Sequence, residues 1–242
     1  MKNSTTNERS LGTITKGIRA PILLFTILAL TSTAQGKESP NIEGASRPCG
    51  VEASVGCGYP QQPPESTLRE QVEHWERGKV SLEQGDYEDA VEAFTAAIRI
   101  DANAGVLFIA RGNAYRQLGQ LDLTIADYDE AIRLEPYISS GYINRGAVYR
   151  EQDKPNLAIA DYTEAIRLDP KYAFAYNGRG NAYQEQDRFD LAIDDYTRAI
   201  ELQPDYELPY LNRGNAYRDL DRPEKAISDY GDALDINPDS AH

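Results

Sequence analysis

Four side chains in this sequence belong to the types that most often carry catalysis or hold metals: His74, His242, Cys49 and Cys57. Neither histidine has a nucleophile placed for it by sequence spacing, and isolated histidines of this kind read as surface residues. The acidic run Asp127-Tyr128-Asp129-Glu130 suggests a cation site, but it lacks the glycine at the sixth loop position and the acid at the twelfth that a calcium loop needs. Asp194 and Asp195 are adjacent, and neighbours on a helix point to different faces, so they make no acid/base pair. No glycine loop for phosphate and no paired metal-ligand motif occurs. The chain therefore reads as non-enzymatic, with no metal and no cofactor.

Cys49 and Cys57 have seven residues between them, two of which are glycines. In an oxidising compartment such a pair reads as one disulfide around a small loop, with an intermolecular bridge as the alternative. A redox pair is less well matched, because such motifs usually place two residues between the thiols.

The elements that would position any site are set by a repeated phrase. Ala110-Arg111-Gly112-Asn113-Ala114-Tyr115-Arg116 returns around Gly146, Gly180 and Gly214, each 34 residues after the last, and a worn copy lies at Arg77-Gly78. A fixed period of this size marks a stacked-repeat architecture. Counting from Gln71, Gly105, Ser139, Ala173 and Glu207, position 8 is Gly in all five units. Position 11 is Tyr in units two to five, and position 24 is Phe94 or Tyr throughout. Position 20 is Ala except at Thr124, position 27 is always Ala, and position 32 is Pro in units two to five. Small residues at helical spacing let two helices approach closely, and the aromatics fill the space beside them. Gly or Asp at position 15 predicts the end of a first helix, since both tolerate the left-handed conformation. Pro155 and Pro223 at position 17 suit the first turn of a second helix. Thr67-Leu68-Arg69-Glu70 reads as a capping box that starts the first helix near residue 68.

This pattern resembles the tetratricopeptide repeat, whose units are pairs of antiparallel helices, A and B. The resemblance implies an all-α, right-handed α-solenoid of five units over 71–104, 105–138, 139–172, 173–206 and 207–240, within a domain spanning 66–242.

The rest of the chain has another character. Residues 1–19 carry Lys2, Arg9, Lys16 and Arg19 against Glu8; an apolar run follows from Ala20 to Leu30, then Ser32-Thr33-Ala34. The order of basic region, short apolar region and small residues is that of a secretory signal peptide. As a helix, Ala20 to Ala34 would span about 22 Å, short of the roughly 30 Å hydrocarbon core, which favours cleavage over anchoring. Either outcome places the repeats outside the cytoplasm, periplasmic or secreted, with residues 20–34 as the one candidate membrane contact. Residues 35–65, rich in Pro and Gly and without periodicity, read as a flexible linker. The net charge of -14 argues against nucleic acid and anionic membranes as partners.

Two further expectations come from the columns of the repeat. Arg fills position 7 in every unit, and Asp fills position 23 in units two to five. These read as an ion pair between helices or, alternatively, as two solvated stripes. On helix B of unit five, Ile227, Leu234 and Ile236 occupy columns that pack on the next helix A in earlier units, so they are expected to form a contact strip for a partner or a second copy. The resemblance also implies a concave groove lined by helix A. Its candidate partner-binding residues are Asn113, Arg116, Arg150, Asn177, Asn181, Gln184, Asn215 and Arg218. Asn can pair with a peptide backbone and Arg with carboxylates. The expected function is a scaffold or adaptor that binds a peptide segment of a protein; the alternative is a structural subunit that assembles through its C-terminal helix as a homo-oligomer.

Overall fold

The chain divides into two units, Met1–Tyr59 and Pro60–His242, and the helices described below belong to the second. The computed structural model describes residues 64–238. The signal-peptide, linker and Cys49–Cys57 readings, and His242, lie outside the described residues, except that helix begins within the last residues of the expected linker.

Every 34-residue unit folds as two helices. Unit one holds α1 (Glu65–Gln84) and α2 (Tyr87–Ile100), and unit two α3 (Gly105–Gln117) and α4 (Leu121–Leu134). Unit three holds α5 (Ser139–Glu151) and α6 (Pro155–Leu168), unit four α7 (Ala173–Gln184) and α8 (Phe189–Leu202), and unit five α9 (Glu207–Asp219) and α10 (Pro223–Ile236). The result is an all-α solenoid of five helical hairpins.

The turns follow from position 15. Gly85 and Gly119 have φ of 83° and 72°, and Asp153, Asp187 and Asp221 take φ of 55–57°. In each unit the amide of position 16 donates to the carbonyl of position 11, as Lys154 does to Tyr149 at 2.8 Å and Arg188 to Tyr183 at 3.0 Å. That six-to-one bond satisfies a carbonyl the helix end would otherwise leave free. Pro155 and Pro223 open α6 and α10, where a missing amide costs nothing. The one boundary that differs is the first. α1 starts at Glu65, three residues before the expected point, and has no side-chain cap. Pro64 supplies the carbonyl that receives the amides of Thr67 and Leu68, so the helix is nucleated by proline and not by Thr67.

Between the helices lie the columns of small residues and rings. Ala90, Ala97, Ala158, Ala165, Ala192 and Ala199 are fully buried, as are Phe94, Tyr128 and Tyr196. Burying the Phe94 ring contributes about 1.5–3 kcal/mol. A Cβ on Gly180 would lie 2.6 Å from the Tyr196 ring, so the contact exists only because position 8 has no side chain. Thr124, in an alanine column, is fully buried but donates its hydroxyl to the Gln120 carbonyl at 3.1 Å.

The position-7 arginines are clamped. Arg111, Arg145, Arg179 and Arg213 each make two parallel bonds of 2.7–2.9 Å to Asp127, Asp161, Asp195 and Asp229 of their own unit. The third nitrogen reaches back to position 25 of the preceding unit: Thr95, Asp129, Thr163 or Thr197. Arg179 also lies between the rings of Tyr176 and Tyr183, at 5.8 and 5.9 Å. One guanidinium thus joins two helices of a unit and two units of the stack. Unit one has Ala93 where the others have Asp, and Arg77 makes only longer pairs, 3.7 Å to Asp89 and 3.6 Å to Glu92.

Candidate functional site

Helices α5 and α7, and α7 and α9, touch directly, so the A helices form the inner wall of the stack. Positions 9, 12 and 13 of that wall are half-buried to exposed and carry the residues that could meet a ligand.

Position 9 builds a polar row. The phenol of Tyr128 donates to Asn113 Oδ1 at 2.6 Å, and that of Tyr230 to Asn215 Oδ1 at 2.8 Å. Tyr196 lies 2.8 Å from both Asn181 Oδ1 and Gln184 Oε1. A buried ring thereby orients each surface amide from beneath. Burial pushes the Tyr128 and Tyr196 phenols far above the ordinary tyrosine range, so they remain donors at any physiological pH. Unit three has Ala147 at this position, and the Tyr162 phenol faces Arg150 instead.

Positions 12 and 13 build a charged row that crosses units. Arg116 binds Glu151 of the next unit, with Nε at 3.0 Å, and Arg150 binds Glu185 at 2.9 and 2.5 Å. Burial is the largest influence on Arg116 and works against its charge, but the hydrogen bond to Glu151, the attraction of that carboxylate and the nearby tyrosines together outweigh it and raise the pKa. Arg218 meets Asp219 at 3.0 Å within its own unit. The inner face is therefore nearly neutral in charge, although the molecule is strongly acidic.

Asn177 departs from the expectation. It is 5% exposed, donates from Nδ2 to the Tyr206 phenol at 3.2 Å and accepts from Asn212 at 3.0 Å. It holds α7 and α9 together and does not present itself to a ligand. The sequence does contain the signal, because this column otherwise holds Trp75, Ile109, Ile143 and Leu211. A polar residue in an apolar column points to a buried hydrogen-bond partner.

An aromatic cluster lies beside it and was not anticipated. The Tyr172 and Phe174 centroids are 5.4 Å apart, and those of Phe174 and Tyr206 are 4.6 Å apart. With the half-exposed Leu208, these rings give the inner wall an apolar end. Its signal is tyrosine at position 34 of units three and four, bracketing Phe174.

Among the described residues no group of three His, Cys, Asp or Glu side chains is arranged to hold a metal ion. No described helix is long and apolar enough to cross a membrane. His74 lies 3.9 Å from Glu70 on the exposed side of α1. On α10, Ile227 is 70% and Leu234 40% exposed, and Ile236 is half-buried.

This chain belongs to the tetratricopeptide repeat family: models described as tetratricopeptide repeat match residues 72–104, 107–137, 173–206 and 209–240, and a further TPR repeat model matches 146–187. Tetratricopeptide repeats are, as a class, scaffolds for protein interaction. Similar folds occur in the crystal structure of MamA protein, 23% identical with a TM-score of 0.61 over 72% of this chain and 95% of that one. MamA from Desulfovibrio magneticus RS-1 is 18% identical, with a TM-score of 0.63 over 72% and 98% of the two chains. YrrB, described as a TPR protein with an unusual peptide-binding site, is 20% identical, with a TM-score of 0.57 over 72% and 90%. No curated protein matches the sequence.

Proposed function

We propose that this protein is an adaptor acting outside the cytoplasm, and that the inner wall of its A helices binds a peptide segment of a partner protein. The observation that carries the reading is the pair of rows on that wall. Asn113, Asn181 and Asn215 are oriented from below by tyrosines, and Arg116 and Arg150 are held outward by carboxylates of the next unit. Preoriented amides can bond a peptide backbone, and the aromatic end around Phe174 and Leu208 offers an apolar side chain a place to pack. The similarly folded YrrB, with its peptide-binding site, supports the reading by analogy of fold. Export rests on the basic, apolar and small-residue succession of residues 1–34.

Affinity capture from the native compartment, run in parallel on the wild-type chain and on variants, tests both parts. Arg150→Glu is expected to weaken a captured partner by about tenfold or more, because it sets a carboxylate against Glu185. Partners captured equally by wild type and by Arg150→Glu with Asn181→Ala would remove the groove from consideration. Mass spectrometry of the native protein should find the N-terminus near Gln35; an intact Met1 would overturn cleavage. The second reading, assembly of copies through α10, draws on the exposure of Ile227 and Leu234. It requires a mass that grows with concentration.

A further inference from the structure

Four helix B faces in this protein show what kind of helix they accept. Positions 6 and 10 of the following helix A supply the contact. Ala110 and Ala114 pack with Ala90 and Phe94, Ala182 packs with Ala158 and Tyr162, and Ala216 packs with Ala192 and Tyr196. In α10 the inner part of that face is covered, with Ala226 buried and Tyr230 half-buried. The outer columns beside it, which in α8 include Ile193 packed with Ala216, are open among the described residues. Ile227 is 70% exposed, whereas Ile193 in the same column of α8 is 9% exposed. A Cβ built on Gly231, between Ile227 and Leu234, meets nothing within 4 Å. The open part is thus an apolar strip of Ile227 and Leu234 with a shallow centre at Gly231, where the internal seats hold the Thr or Asp that receives the next unit's arginine.

Its border differs from the others in charge. Positions 18, 22, 26 and 29 follow one edge of each helix B. This row contains one arginine in each of the first four units: Arg99, Arg133, Arg167 and Arg198. In α10 it reads Glu224, Ser228, Asp232 and Asp235, with three acids and no base, and none of the three is in an ion pair with a described residue. Lys225 lies off the row, over the Tyr217 ring at 5.2 Å. On the inner border Arg218 is already neutralised by Asp219. A precedent for what such a row attracts exists one unit earlier, where Asp190 receives Arg222 of the next unit at 3.6 Å.

We propose that the outer face of α10 is a docking site for an amphipathic helix of another protein, one that brings small apolar residues to Ile227, Gly231 and Leu234 and lysine or arginine to the acidic row. A second copy stacked head to tail, one form of the second reading above, fits this face less well than such a helix. Its incoming helix would be α1, and α1 carries Glu76 at the position that Ala110, Asn144, Gly178 and Asn212 fill in the internal seats. A carboxylate there would lose its water against an apolar face and lie beside three more acids. This inference concerns a different face from the groove and stands independently of it.

The experiment uses the full-length chain and two synthetic amphipathic peptides of about 20 residues, long enough to form helix on the surface. Both carry the same Ala/Leu seam; one has a lysine flank and the other a glutamate flank. Fluorescence anisotropy should show the lysine peptide binding at least about tenfold more tightly, with affinity falling as salt rises. Ile227→Glu should abolish the binding. Combined Glu224→Lys, Asp232→Lys and Asp235→Lys, at exposed sites whose substitution leaves the circular dichroism unchanged, should reverse the preference between peptides. Equal binding of both peptides, or lysine-peptide binding that survives Ile227→Glu, overturns the proposal. So does a concentration-dependent dimer that Ile227→Glu dissolves, which would assign the face to a second copy. Arg150→Glu should leave lysine-peptide binding unchanged; if it removes that binding, the peptide occupies the groove and the α10 site is refuted while the groove reading stands.

Discussion

Arg179 shows what one side chain can be asked to do in this protein. It is bonded twice to Asp195, once to Thr163 of the preceding unit, and lies between two tyrosine rings. Asp195 is nearly buried, so removing it leaves a guanidinium without its counter-charge in a site that water reaches poorly. Asp195→Ala is expected to cost about 3 kcal/mol in urea unfolding, toward the lower end for a broken buried pair. Arg179→Leu combined with Asp195→Leu should cost clearly less than the two single changes together, because neither charge is then stranded. Additive single effects would show that the pair is solvated and independent. The pairing was legible in the sequence because both residues recur with the period of the repeat. The tyrosine–asparagine bonds and the Arg116–Glu151 and Arg150–Glu185 pairs were not. They require knowing that position 24 lies beneath position 9, and that position 12 of one unit meets position 13 of the next.

The helices themselves were largely readable, since their ends are fixed by local chemistry. Position 15 marks the end of every helix A through a left-handed residue, and proline opens two of the helices B. Only the start of α1 was misplaced, where Pro64 does what Thr67 was expected to do. Two substitutions separate packing from turn geometry at this scale. Gly180→Ala should lower stability by about 1–3 kcal/mol despite the better helix propensity of alanine, because its methyl meets the Tyr196 ring at 2.6 Å. Asp187→Gly, at φ of 57°, should be neutral or stabilising by up to about 1 kcal/mol, since glycine holds that conformation without strain. Thermal unfolding by circular dichroism checks both, and a destabilised Asp187→Gly would refute the turn argument.

The molecule as a whole carries an excess of acid, and two of its carboxyls should shape its response to falling pH. Burial pushes the carboxyls of Asp161 and Asp195 above the ordinary range in spite of their arginines. A carboxyl whose folded pKa exceeds its unfolded one contributes stability that is fully present below the unfolded value and lost as pH rises through the folded value. Relief of self-repulsion acts in the same direction. The contribution of these two carboxyls should therefore grow as pH is lowered into the carboxylate range, just above the ordinary aspartate value of about 3.9. Replacing both with Asn should flatten that part of the urea-midpoint profile; an unchanged profile would contradict the assignment. On the alkaline side, burial carries the Tyr206 phenol up to about 12. Its contribution is intact below about pH 10 and disappears as pH climbs through the raised value, which tyrosinate absorbance read together with helical signal would follow.

The rails across the inner wall have a mechanical side. Arg116–Glu151 ties the second hairpin to the third, and Arg150–Glu185 ties the third to the fourth. The corresponding places at the outer junctions hold Leu82 with Gln117 and Gln184 with Asp219, which form no such tie. The last junction is held instead by Asn177, through Asn212 and Tyr206. Among the described residues the first is therefore the one left without a polar tie on the inner wall, and a load pulling along the array would open it there, between the first and second hairpins.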